Sequence, residues 1–382
     1  MIPYGLHSVD NKDIIEVKKV LKSKFLTQGP KVKLFEKQIQ NFCKSNFCTT
    51  TTSASVALYL ACRALGLKKG DLFWTVPNTF VASANAGLLC GAKVDFIDID
   101  PETNNICMDK LKHKLNKAKK KPKLIIPVHF AGLPYDQKEL WKLKKKYKFN
   151  IIEDASHALG AYNEKVPVGS CKWSDITVFS FHPVKIITTG EGGALTMKSR
   201  KFYEKIEILK NNGITKNIKN FKKKIKYRWY YEQVDIGLNY RMNDINAALG
   251  LSQIKKLDKF VKARNNIADM YNKSLSNLPI SLPKVPKKMK STFHLYVVKV
   301  KKNIRNKLFM ELIKNNVLIN MHYLPVNFHP FYNNYFKKKL FRNSQEHSDT
   351  AISLPIYPRL KQKNQTFVIN IIKNFFKKLK KK

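Results

Sequence analysis

Arginine is scarce in this chain. Of its 72 basic residues among 382, only eight are Arg, at positions 63, 200, 228, 241, 264, 305, 342 and 359. Acidic residues are few as well, 27 Asp and Glu together, which leaves a formal net charge of +45. Such a charge attracts phosphates without sequence contacts. Yet guanidinium is the group suited to bidentate phosphate and base recognition. The lysines that replace it are dispersed, as in Lys119-Lys120-Lys121, Lys144-Lys145-Lys146, Lys222-Lys223-Lys224 and Lys380-Lys381-Lys382, with no aromatic-interleaved binding motif among them. The pattern predicts solvated helix faces and loops and no specific nucleic-acid partner, although an anionic nucleotide substrate still gains from the field. Cysteine is also sparse. The six, at 43, 48, 62, 90, 107 and 171, form no Cys-x-x-Cys pair and lack zinc-type His spacing, so reduced thiols and no metal site are expected. No apolar run is long enough to cross a bilayer, and Met1-Ile2-Pro3-Tyr4-Gly5-Leu6 is not a basic segment leading into an apolar one. A cytosolic protein is the expectation.

What is present suits a globular protein. The length and 43% hydrophobic content allow one large α/β domain and a smaller second one. Helices are predicted over Ser8 to Leu21, Val32 to Phe42 and Ser53 to Leu65, with a turn at Leu26-Thr27-Gln28-Gly29-Pro30 between the first two. Strand-length apolar runs follow at 73–76, 94–97, 124–128, 150–152, 176–179 and 194–197, most of them separated by helix-length stretches. That alternation predicts a mostly parallel central sheet with helices on both faces. Further helices are expected around Asn246 to Leu257 and on to about Ser276, before a Pro/Lys-rich section, Leu278 to Lys290, breaks the pattern. Beyond it, a strand near His294 to Val298 and helices at Asn306 to Lys314 and Phe367 to Leu379 suit a smaller α+β domain. The expected division is 1–255 for the large domain and 256–382 for the small one.

Two residues stand where strands stop. Lys185 follows the run ending Phe179-Ser180-Phe181 and precedes the turn Gly190-Glu191-Gly192-Gly193; Asp154 closes the run from Phe149. Strand ends of an open parallel sheet are where ligands bind. An amine and a carboxylate there suit pyridoxal phosphate (PLP): the lysine holds the aldehyde as a Schiff base, and the aspartate keeps the pyridine nitrogen protonated. A solvated loop lysine and a helix-capping aspartate are the alternatives. Thr52-Ser53-Ala54-Ser55 opens a helix and offers hydroxyls and N–H groups to a phosphate, or simply caps that helix. Ser180 is a further phosphate donor or a strand-end serine. Phe80 lies on the pyridine ring or in the core. His157, three residues past Asp154, reaches the cofactor phenolate or Asp154, or is structural.

The order and spacing of these features, over nearly the whole chain, resemble the DegT/DnrJ/EryC1/StrS family of sugar aminotransferases, which share the aspartate aminotransferase fold (PLP fold type I). The carrying segments are Leu26 to Pro30, Val128-His129-Phe130-Ala131-Gly132, Glu153 to Gly160, Phe179 to Gly193, Trp229 to Gln233 and Asn239 to Ile245. The resemblance implies that Lys185 is the Schiff-base residue and Asp154 the partner of the pyridine nitrogen. It makes Phe80 the stacking ring, with Ala54, Ser55 and Ser180 on the phosphate. Asn239 is implied to reach the phosphate from the partner subunit of a homodimer. Tyr4, the stretch Lys24, Phe25, Leu26 and Thr27, and the loop His322, Tyr323, Leu324 and Pro325 are the implied substrate contacts. One departure is the phosphate turn, Ser-Gly-Thr in many relatives and Ser53-Ala54-Ser55 here.

Within the family the chain is most similar to the pseudaminic acid branch. The implied reaction is ping-pong transamination from an amino-acid donor, L-glutamate, to UDP-2-acetamido-2,6-dideoxy-β-L-arabino-hex-4-ulose. Another UDP- or dTDP-linked keto-deoxysugar is the alternative acceptor. A basic nucleic-acid-binding or regulatory protein on a degenerate transferase scaffold is the alternative of another class, and intact Lys185 and Asp154 argue against it. Lys185 also argues against the branch that removes oxygen from sugars, where histidine takes its place.

Overall fold

A computed structural model describes residues 1–223, 225, 227–333 and 340–380. Lys224, Lys381 and Lys382 of the lysine runs lie outside the described residues. Among the described residues the central sheet has seven strands: β1 (Phe47–Thr51), β2 (Leu72–Thr75), β3 (Lys93–Phe96), β4 (Leu124–Ile126), β5 (Asn150–Asp154), β6 (Ile176–Ser180) and β7 (Gly193–Met197). Their spatial order is β1-β7-β6-β5-β4-β2-β3. The β6–β5–β4–β2–β3 half is parallel, whereas β7 runs antiparallel to both β6 and β1.

All six strands expected from apolar runs are present. β1 was not among them, because Cys48-Thr49-Thr50-Thr51 carries few apolar side chains. Its threonines are buried nonetheless, their hydroxyls spent internally: Thr50 Oγ1 donates to Glu36 (3.0 Å) and Thr51 Oγ1 to Ser53 O (2.9 Å).

Two helices, α1 (Asn11–Leu21) and α2 (Pro30–Cys43), precede the sheet, and later helices cover both of its faces. Leu124, Ile126, Ile152, Ile176 and Val178 share a core with α3 (Ala54–Ala64) and α4 (Ala82–Leu88). The alternate residues Trp74, Ile125 and Ile151 pack with Leu111 and Leu115 of one helix (Met108–Lys117) and Leu140 and Leu143 of another (Gln137–Tyr147). Strand side chains alternate between faces. Asp154 therefore follows Ile152 to the α3/α4 face, and Ser180 follows Val178 there. Glu153 points to the opposite face, where it accepts from the hydroxyls of Tyr135 (3.0 Å) and Ser174 (3.1 Å).

A long helix, α5 (Leu257–Leu275), joins the sheet to a second cluster. Its first turns pack with Phe179 and Ala194, and its later residues, Ile267 to Leu275, with strands β8 (Tyr296–Lys299) and β9 (Ala351–Leu354) and helices α6 (Lys302–Lys314) and α7 (Gln362–Lys380). The expected division at 255/256 falls just before α5. Ile2 also belongs to this second cluster. Its backbone pairs with Asn316 and Leu318, and Tyr4 O accepts from Ile356 N, which carries Tyr4 in with the small lobe. Among the described residues no helix is long and apolar enough to cross a membrane, and all six cysteines are free thiols.

Candidate active site

Four connections converge where the strands end. α3 begins two residues after β1 with Ser53 as its N-cap, the hydroxyl accepting from Val56 N (3.3 Å). Ala54 and Ser55 are first-turn residues, whose N–H groups have no intrahelical carbonyl to meet. β7 comes hard against this turn: a Cβ added at Gly193 would sit 2.6 Å from Ala54 N and from Ser53 C and O. Thr51 pairs with Gly193, and Gly193 with Ser180, so the turn and the Ser180 hydroxyl flank one rung of the sheet. From Phe181 to Gly192 the chain loops out and back, closed by Phe181 N to Gly192 O (2.9 Å) and Thr189 N to Phe181 O (3.0 Å). Lys185 sits in that loop, held by its own N–H to His182 O (2.9 Å).

These ends enclose a cavity of about 750 Å³. Of the residues singled out from sequence, Tyr4, Ala54, Ser55, Phe80, Asp154, His157, Ser180, Lys185, His322, Tyr323 and Leu324 line it. Lys24, Phe25, Leu26, Thr27, Pro325 and Asn239 do not. Pro325 is buried behind the wall, whereas Lys24 to Thr27 and Asn239 are exposed. Leu26 O accepts from Asp244 N at the start of the helix Asp244–Ile254, while Asn239 forms a bridge with Asn211.

Asp154 is 5% exposed and tightly oriented. Ser83 Oγ donates to its Oδ2 (2.6 Å), and Ser156 donates to Oδ1 through Oγ (2.6 Å) and N (3.1 Å). Burial pulls the Lys185 ammonium down to about 8, partly opposed by the charge of Asp154. His157 is also pushed well below its ordinary value, by burial first and then by Lys185, His322 and His129, so its ring is neutral. Tyr323 is raised, by burial and then by Asp154, and stays a phenol 3.2 Å from His157 Nε2. The His294 ring lies 4.3 Å from that of His157, and His322, lowered by burial to about 4, lies 5.4 Å from Tyr4.

The chain as a whole matches the DegT/DnrJ/EryC1/StrS aminotransferase family over residues 7–373. It belongs to that family. A Campylobacter jejuni relative, UDP-4-amino-4,6-dideoxy-N-acetyl-β-L-altrosamine transaminase, is 35% identical over 385 residues, covering 100% of this chain and 99% of its own. The solved structure of Helicobacter pylori PseC, an aminotransferase of pseudaminic acid biosynthesis, is similar with a TM-score of 0.92 at 29% identity, over 99% of each chain. A sugar aminotransferase of Streptococcus pneumoniae, solved in its PLP form, aligns with a TM-score of 0.90 at 28% identity over 99% of each chain.

This sugar aminotransferase is PLP-dependent, and its residues fit that cofactor. An oriented carboxylate and a neutralisable amine face one cavity. His157 Nδ1 is buried without a hydrogen-bond partner among the described residues, as if awaiting one from a ligand. The close approach of Gly193 leaves the first turn of α3 open as an anion cradle. Sequence reasoning missed Ser83, Ser156, His294 and Asn320. Ser156 lies inside the Asp154-Ala155-Ser156-His157 run and could have been read there. Ser83 is one helical turn past Phe80, and only the packing of α4 on β5 reveals its partner.

Proposed function

We propose that this aminotransferase moves an amino group from L-glutamate to C4 of UDP-2-acetamido-2,6-dideoxy-β-L-arabino-hex-4-ulose, giving the UDP-linked 4-amino sugar of pseudaminic acid biosynthesis. The observation that carries the reading is the Lys185 amine and the Asp154 carboxylate on the wall of one cavity of about 750 Å³, large enough for cofactor and sugar together. Full-length similarity to the Campylobacter jejuni transaminase supports the choice of acceptor.

PLP, when bound, supplies an electron sink for the pair left behind when a proton leaves carbon. Asp154, held by Ser83 and Ser156, would keep a proton on the ring nitrogen. Ala54 and Ser55, through their N–H groups and the Ser55 hydroxyl, and Ser180 would hold the phosphate at the positive end of α3. Phe80 would stack on the ring, and His157 Nδ1–H would donate to its oxygen. Lys185 is covalently tethered beside both reacting carbons and, with a pKa near 8, moves a proton in either direction at neutral pH. It would take up the proton that leaves the donor α-carbon. In the second half it delivers a proton to sugar C4. Tyr4, His322, Tyr323 and Leu324 orient the sugar nucleotide, with Pro325 fixing the end of that loop.

Lys24 to Thr27 and Asn239 are exposed and do not line the chain's own cavity, which suits service to a second subunit's site. In this reading the protein is a homodimer, with Asn239 completing the partner's phosphate site. Assaying the purified protein with glutamate and a panel of UDP-, dTDP- and GDP-linked ketosugars, with products identified by NMR, tests the substrate. Turnover confined to another ketosugar would replace the acceptor. Co-expressing Asn239→Asp with Lys185→Ala tests the shared site: each alone should be impaired, and verified mixed dimers should regain one working site. An active monomer, or no recovery in mixed dimers, would overturn the sharing.

A further inference from the structure

The cavity wall formed by residues 320–324 belongs to no helix or strand beyond a bridge from Asn320 to Ser353, and contacts from elsewhere hold it in place. From the large lobe, Asn78 Oδ1 accepts from Tyr323 N (3.1 Å). From β9, Ser353 N donates to Asn320 O (2.8 Å), and its hydroxyl pairs with His322 Nδ1 (2.7 Å). A further tie is His347, in the helix Arg342–Thr350, with Nε2 at 2.7 Å from the His322 carbonyl oxygen and Nδ1 at 2.9 Å from Asn104 Oδ1.

His347 is 1% exposed, and burial holds its pKa at about 3, so the ring is neutral and carries one N–H. A carbonyl only accepts, so that hydrogen is on Nε2. Nδ1 then accepts, which requires the Asn104 amide to be turned so that its nitrogen, and not Oδ1, faces the ring. The ring meets Phe130 edge-on at 5.3 Å, and Phe130 meets Tyr323 edge-on at 6.4 Å. The helix carrying His347 is itself anchored from the sheet: Asp98 Oδ1 accepts from Ser344 N (3.0 Å) and Oγ (2.8 Å), and Oδ2 from Asn343 N (3.0 Å).

We propose that His347 is a positioning residue for the sugar-nucleotide half of the reaction, fixing the His322 carbonyl through Nε2–H and the Tyr323 ring through Phe130. It does not line the cavity and acts only through that wall. The inference rests on reading residues 322–325 as acceptor contacts.

Two variants test it. His347→Phe keeps a ring but has no donor, and His347→Gln keeps a donor amide. In the PLP-loaded Phe variant, amide hydrogen exchange of residues 320–324 should accelerate by about tenfold while β8 and β9 keep their wild-type rates, because a buried carbonyl has lost its partner. KM for the ketosugar nucleotide should rise about tenfold, equivalent to ~1.4 kcal/mol, with kcat and the donor KM within about twofold of wild type. The Gln variant should recover most of both. Unchanged exchange at 320–324, acceleration spread over the whole small lobe, or a Gln variant as impaired as Phe would overturn the proposal. A wild type that turns over no ketosugar nucleotide would instead count against the proposed function and leave the exchange data to decide the role of His347.

Discussion

At about pH 7.4 an amine with a pKa near 8 is roughly one-fifth neutral, against about one part in a thousand for a lysine at 10.5, so burial gives Lys185 a ~250-fold larger neutral fraction. The perturbation to apply is pH itself, on cofactor-free protein. Competitive acetylation with limiting acetic anhydride, read by mass spectrometry on the peptide containing Lys185, follows the neutral amine directly. Its labelling should rise with pH and reach half-maximum near 8. Asp154→Asn removes the one charge that opposes the depression, so the midpoint should move lower still even though turnover is lost. The linkage has a definite sign. Between the folded value and 10.5 the unfolded chain binds more protons, so this lysine destabilises the cofactor-free fold fully below pH 8 and progressively less as pH rises toward 10.5. Lys185→Met should therefore stabilise the cofactor-free protein at neutral pH and lose that advantage at high pH. A labelling midpoint at or above 10, or a midpoint that rises in Asp154→Asn, would refute the reasoning.

Gly193→Ala drives a methyl into the Ser53–Ala54 backbone, and overpacking of this kind costs ~1–3 kcal/mol, so PLP affinity should fall about tenfold in an absorbance titration. Asp98→Ala removes the cap on the helix Arg342–Thr350 and should lower stability by ~1–2 kcal/mol in urea unfolding. Burial raises the Asp98 pKa, but Lys110, Ser344 and backbone N–H groups more than reverse it. The stabilisation is accordingly present above the ordinary value of 3.8 and lost as pH falls through the lower folded value, and Asp98→Asn should flatten that acid limb. Binding to DNA or RNA should be weak, indifferent to sequence and abolished by about 0.2 M salt in a fluorescence anisotropy titration; a tight, sequence-selective complex under those conditions would contradict the reading of the lysines.

The parallel sheet was legible because strands buried on both faces, such as Leu124-Ile125-Ile126, must be apolar throughout. β1 was not, because its threonines meet Glu36 and Ser53 through hydroxyls that only the fold brings near. Lys185 and Asp154 were legible for a similar reason: a charged residue at the end of a buried strand, or in the short loop beyond it, has few places to go. Ser83 and His294 reach the cavity from separate elements, by packing that leaves no local spacing in the chain. The same holds for His347, whose neighbours Asn104 and His322 lie far away in sequence. Lys24 to Thr27 and Asn239 matched a recognisable pattern, yet within one chain they stand outside the cavity.

The antiparallel seam between β1 and β7 has a consequence for the order of assembly. Thr51 and Gly193 are separated by about 140 residues, and closing so large a loop is entropically expensive until the intervening β2–β6 layers exist to shorten it. The anion cradle at Ser53–Ser55 borders that seam, so it should be completed after the sheet between has been laid down. Cofactor capture is then a late event in folding. A chain stalled before residue 193 has no cradle to offer, and added PLP should rescue slow or destabilised variants by trapping the finished sheet without accelerating the early steps that build it.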